Sequence, residues 1–157
     1  SMLQRVQSIY FSLAIICIGA TSSGMEFFRF VNGNEFYSFS VYGIQKGLGN
    51  DVSIYKSIPL YLSVIGLCLF AFMTLMSYKN IKRQLKWSRA LFFIYLFVVI
   101  GFLIFSSLGM SMFLPTEGSL ELGKGYLFLI LGLPFSFLAL LGVKKDKNLL
   151  DSLNRLR

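Results

Sequence analysis

Tyr78-Lys79-Asn80-Ile81-Lys82-Arg83-Gln84-Leu85-Lys86-Trp87-Ser88-Arg89 places five cations and no acid between two long apolar runs. Burying these five side chains in hydrocarbon costs about 2.5 to 3.5 kcal/mol each, roughly 12 to 17 in all, so the segment stays in water while its flanks enter lipid. The positive-inside bias puts it in the cytoplasm. Working outward from here, the sequence predicts a small polytopic membrane protein.

Composition agrees. The 157 residues leave room for one domain, 55% hydrophobic and only 14% charged, against about a quarter charged in soluble domains. The net charge of +8 raises the question of nucleic acid, but the distribution answers it. Eleven cations and two acids fall on segments assigned below to the cytoplasm, and four cations and five acids outside. That asymmetry orients a membrane protein, and no nucleic-acid partner is expected. Histidine is absent, which removes the commonest general base, the usual haem ligand and most zinc sites, so neither cofactor nor metal is expected. Cys17 and Cys68 lie inside apolar runs at similar depth. Without a CxxC they read as small buried side chains rather than a redox pair.

In chain order, Ser1 before Met2 reads as an added residue, and Val6 to Met25 is a twenty-residue uncharged run long enough to cross a core of about 30 Å. Gly19/Ser23 and Ala20/Gly24 supply small-xxx-small spacing for helix packing. The outer loop 26–57 is aromatic and β-branched, with Asn32-Gly33 between two such runs, a strong hairpin signal. Its aromatic and β-branched side chains Phe36, Tyr37, Phe39, Val41 and Tyr42 form either a cap on the protein's own helix ends or a partner-docking surface. Further helices are expected over 58–78, opened by Pro59, over 90–114, and over 125–143, kinked at Pro134. Between them lie the cytoplasmic basic loop 79–89 and a short acidic outer loop. The tail 144–157 has Leu149, Leu153 and Leu156 at helical spacing and an Asp151/Arg155 pair, as in a short interfacial helix. The fold expected is therefore an all-α, four-transmembrane-helix bundle with a short extracytoplasmic β-hairpin in the first outer loop.

Two sets of candidate residues follow. Lys79, Lys82, Arg83, Lys86, Trp87, Arg89, Lys144, Lys145 and Lys147 form a membrane-interface set facing anionic headgroups. Ser106, Ser107, Gly132, Pro134 and Ser136 are polar or small residues inside apolar runs, suited to helix packing or to an intramembrane ligand contact.

The opening Met2-Leu3-Gln4-Arg5-Val6-Gln7-Ser8-Ile9-Tyr10 and the close Lys144-Lys145-Asp146-Lys147-Asn148-Leu149-Leu150-Asp151-Ser152-Leu153-Asn154-Arg155-Leu156-Arg157 resemble the terminal signatures of a family of small Bacteroidetes inner-membrane proteins, domain of unknown function 4293. The resemblance implies four helices, cytoplasmic termini, a bacterial inner membrane and no assigned activity. The signatures use Gln4, Arg5, Gln7, Asp151, Asn154 and Arg155, and our expectation is that these polar groups meet one another or a partner at the cytoplasmic face.

No ionisable residue interrupts an apolar run, whereas proton relays and charged-substrate pathways usually leave one there. The leading expectation is a non-catalytic subunit or scaffold of a membrane assembly, in contact with the bilayer and with a protein partner or a second copy. The alternative is a carrier or binding protein for an apolar ligand such as a lipid or quinone, held near Pro134. An enzyme ranks third, because Glu26, Glu35, Asp51, Glu117 and Glu121 all lie on the outer side with nothing to show that they converge.

Overall fold

The computed structural model describes residues 2–23, 25–32, 35–48, 51–57, 59–109 and 119–156, with side chains over 6–23, 25–31, 35–47, 59–108 and 121–156. Helix α1 (Met2–Thr21) is followed by β1 (Phe28–Asn32), β2 (Glu35–Ser40), β3 (Gly43–Leu48) and β4 (Asp51–Ser57). Then come α2 (Tyr61–Met76), α3 (Ile81–Ile104) with a π-helical continuation Phe105–Gly109, β5 (Ser119–Leu122) and α4 (Lys124–Arg155). The strands form one antiparallel sheet in the order β4-β3-β2-β1-β5.

The sheet corrects the all-α, four-transmembrane-helix expectation. The β1–β2 hairpin forms where the two aromatic and β-branched runs place it, pairing Phe28 with Phe39 and Phe30 with Tyr37. It is only part of a larger unit. β3 and β4 fall where Gly43, Gly47 and polar residues dilute the period-two pattern, and β5 joins β1 from some ninety residues away, pairing Phe28 with Leu122. Gly43 permits the tight return from β2 by adopting φ 121°, a value that a side chain opposes.

Two helices are long and apolar enough to cross a membrane: Ile81–Leu108, counting the π-helical turn, and Lys124–Arg155. Only 28% and 33% of their apolar windows is buried within the molecule, unlike the core helix of a soluble domain. The apolar parts of the other two are shorter, Val6–Thr21 and Tyr61–Met76. At ~1.5 Å per residue, sixteen residues reach about 24 Å, short of a core of about 30 Å.

The basic segment 79–89 is not a loop. Asn80 caps α3 by accepting from the Arg83 N–H at 3.2 Å, and Ile81 to Arg89 are already helical, as the good helix propensity of Lys, Arg, Gln and Leu favours. The tail 144–157 is likewise no separate helix, because nothing between Val143 and Arg155 breaks α4. Of the smaller expectations, Gly24, Gly33, the first part of the short acidic outer loop and the Gln4 and Arg5 side chains lie outside what is described.

Packing sets the directions. α1 and α3 each pack on α4, and α2 on both α1 and α3. The Gln7 amide donates to the Gly142 carbonyl at 2.8 Å, while Cys17 lies beside Gly132, so α1 runs antiparallel to α4. Tyr95 bonds the Leu129 carbonyl and Tyr126 the Val99 carbonyl, so α3 is antiparallel to α4 too. The start of α1, the α2–α3 turn and the end of α4 therefore share one end of the helices. At the other end sits the sheet, with Phe27 stacked on Phe102 at 5.1 Å and Phe28 against Tyr126 at 4.7 Å.

Candidate functional site

The structure gathers the cations. Lys79, Lys82, Arg83, Lys86 and Arg89 are exposed at the start of α3, and Lys144, Lys145 and the half-buried Lys147 lie at the facing end of α4. Trp87 stacks on Phe70 of α2 at 5.9 Å, and the Arg83 guanidinium lies over the Trp87 ring at 5.5 Å, an arrangement that suits Arg better than Lys. Asp151 pairs with Lys147 at 3.3 Å rather than with Arg155, one turn back instead of one turn on. Of the expected terminal cluster, Gln7 holds α4 through Gly142.

Sequence reading missed two buried polar groups here. Gln84 donates to the Thr74 carbonyl at 3.2 Å, closing the end of α2, and its Oε1 atom has no hydrogen-bond partner among the described residues. Asp146 is buried as well. Both sit in basic, charged stretches that suggest a solvated face. Only their periodicity against Leu85, Ser88 and Val143 marks them as inward.

At the sheet end, the aromatics expected as a cap or a docking surface act mainly as a cap. Phe39 and Val41 are fully buried and Tyr37 nearly so, with Phe39 against Phe105 at 5.0 Å. Phe36 lies half-buried under Arg29, whose guanidinium is 4.6 Å from its ring and which pairs with Glu26 at 3.0 Å. Tyr42 alone of the five is exposed, and it is tethered, donating to the Ser22 carbonyl at 2.5 Å. Backbone bonds complete the joint: Tyr61 N–H to Val41 O at 2.9 Å, Gly123 N–H to Phe27 O at 2.7 Å and Gly125 N–H to Glu26 O at 3.0 Å. The sheet is thus fastened to the first residues of α2 and α4.

The five intramembrane candidates do not converge. Ser106 and Ser107 bond the carbonyls of Leu103 and Ile104 on their own helix, at 2.8 and 3.2 Å. Ser136 does the same to Leu133 at 2.7 Å. Gly132 faces the Tyr95 hydroxyl, which occupies the place a side chain would need, and Pro134 sits exposed on the outside of α4. Two open apolar grooves lie nearby. One, of ≈ 260 Å³ between α2 and α3, is lined by residues including Leu60, Phe97, Gly101 and Phe105. The other, of ≈ 460 Å³ on α4, is lined by Lys124, Leu127, Phe128, Ile130 and Leu131.

The chain belongs to the family described as Domain of unknown function (DUF4293), whose model matches residues 3–156, in agreement with the resemblance read at the two ends. A search of curated proteins found no match.

Proposed function

We propose that this member of the DUF4293 family is a non-catalytic subunit of a bacterial inner-membrane assembly, a multi-pass protein that holds a small β platform at the outer surface. The observation that carries the reading is the joint between sheet and helices. Phe27, Phe28 and Phe39 interlock with Phe102, Phe105 and Tyr126, and three backbone bonds fasten the residues leading into β1 and the β2–β3 turn to the starts of α2 and α4. A sheet fixed in this way moves with the spanning helices as one body, which suits a scaffold better than a lid. The outward apolar side chains of α3, among them Phe93, Phe97 and Ile104, face lipid in this reading. The basic ends of α3 and α4 face the cytoplasm by the positive-inside bias, taking both termini with them.

The inner polar groups favour the same reading over a carrier. Tyr95, Tyr126, Gln7, Thr74, Ser88 and Ser136 all bond carbonyls of the helices themselves, so they act as joints and offer a ligand little. The test is purification of the tagged protein from its native membrane in nanodiscs, followed by mass spectrometry of the proteins retained. A partner present in stoichiometric amount supports the proposal. A chain that leaves the membrane with no stoichiometric partner overturns it.

A further inference from the structure

We infer that the groove on the first two turns of α4 is a binding site for one phospholipid with an anionic headgroup. This rests on the membrane part of the reading above and not on the subunit part. Lys124, Leu127, Phe128 and Leu131 stand at i, i+3, i+4 and i+7, so they share one face of α4. With Ile130 they line the ≈ 460 Å³ groove, a volume within the usual range of about 300 to 1,000 Å³ for small-molecule sites. Leu127, Ile130 and Leu131 are 53%, 38% and 49% exposed, an apolar strip with little covering it.

The layout is amphiphilic along its length. Lys124 is the first residue of α4 and follows the sheet directly through Gly123, so its ammonium lies where helix meets water. Leu131 is seven residues further in, about 10 Å along the axis. Among the described residues Lys124 makes no ion pair, although the exposed carboxylate of Glu121 is three residues away on β5. A cation at the rim and hydrocarbon below it match a phosphate headgroup joined to an acyl chain. A zwitterionic phospholipid also offers a phosphate, but its own ammonium offsets that charge and leaves a weaker net attraction for Lys124. An extended peptide leaves its own backbone groups unmet, since the strip offers no side-chain acceptor.

Bromine quenching reads this site alone. Trp87→Phe removes the chain's one tryptophan, and Phe128→Trp puts a reporter in the groove, with Leu127→Trp as a second reporter position should the first fail to fold. The full chain is reconstituted in phosphatidylcholine vesicles containing brominated phosphatidylglycerol or, for comparison, brominated phosphatidylcholine. The expected result is a relative binding constant roughly fivefold higher for the anionic lipid, the effect of one lysine near a charged surface, falling to about one with Lys124→Gln. A ratio of about one in the protein that keeps Lys124, or a preference that Lys124→Gln leaves unchanged, overturns the assignment.

Discussion

Tyr95 and Tyr126 bind each other's helices in opposite directions: Tyr95 on α3 donates to the Leu129 carbonyl of α4, and Tyr126 on α4 donates to the Val99 carbonyl of α3. The two bonds lie about one turn apart and fix both the register and the rotation of the pair. Apolar packing alone does this poorly in lipid, where hydrocarbon outside the helices is as apolar as the side chains between them. Each hydroxyl is buried, so each also satisfies its own need for a partner.

Removing these hydroxyls tests their worth. Tyr95→Phe should cost about 1 to 2 kcal/mol and Tyr126→Phe about 0.6 to 1, the range for interhelical bonds in membranes, with the larger loss at the fully buried Tyr95. Unfolding of the protein in mixed micelles by increasing SDS measures both. Equal or negligible losses would show that the bonds decorate a contact set by shape.

Gly132 makes the first bond possible, since a Cβ there meets the Tyr95 hydroxyl and, at 3.2 Å, the Cβ of Cys17. Gly132→Ala should therefore destabilise by about 1 to 3 kcal/mol, as overpacking does. In a Tyr95→Phe background the hydroxyl is gone and the added methyl meets less resistance. The double variant should be more stable than the sum of the two single losses predicts, by at least about 0.5 kcal/mol; strict additivity would place the obstacle elsewhere.

The helices were legible in the sequence because length, hydropathy and charge act locally, and the basic clusters gave their relative directions. The hairpin was legible for the same reason, through the two aromatic and β-branched runs on either side of Asn32-Gly33. Most of the sheet was not. β5 is four residues long, and its pairing with β1 depends on chain closure across α2 and α3, which leaves no local trace. Helix ends are legible only loosely: the cations at 79–89 and 144–147 read as stops although Lys and Arg are good helix formers, while the apolar runs 6–25 and 58–78 extend past the ends of α1 at Thr21 and α2 at Met76. Tyr95, Gln84 and Asp146 stayed invisible because the periodicity that turns them inward is shared with many outward residues.

Burial separates cap from surface within the hairpin. Phe39 has no exposed area and touches Phe27, Phe102 and Phe105, so Phe39→Ala should cost about 3 to 5 kcal/mol. Tyr42 is 49% exposed and holds one bond to Ser22 and a ring contact with Tyr61 at 5.7 Å. Tyr42→Ala should cost no more than about 1 to 2 kcal/mol. SDS unfolding reads both, and a larger loss at Tyr42 would contradict the capping role given to Phe39.

The proposed orientation can be read chemically, because the sheet and the basic residues lie at opposite ends of the helices. In spheroplasts, an impermeant maleimide should label Tyr42→Cys, which is exposed beside the sheet, and leave Lys145→Cys, exposed at the basic end, unlabelled until the membrane is opened. Cys17 is buried inside the helices and Cys68 half-buried between them, so the unsubstituted chain provides a low background. Neutralising Lys82, Lys86 and Arg89 together removes three of the cations that, in the proposed topology, hold the α2–α3 turn inside. With those of α4 remaining, the result should be a partial loss of orientation, seen as a minority of Lys145→Cys molecules labelled from outside. Labelling of Lys145→Cys in intact spheroplasts before any such change would invert the topology and, with it, the side on which a partner is to be sought.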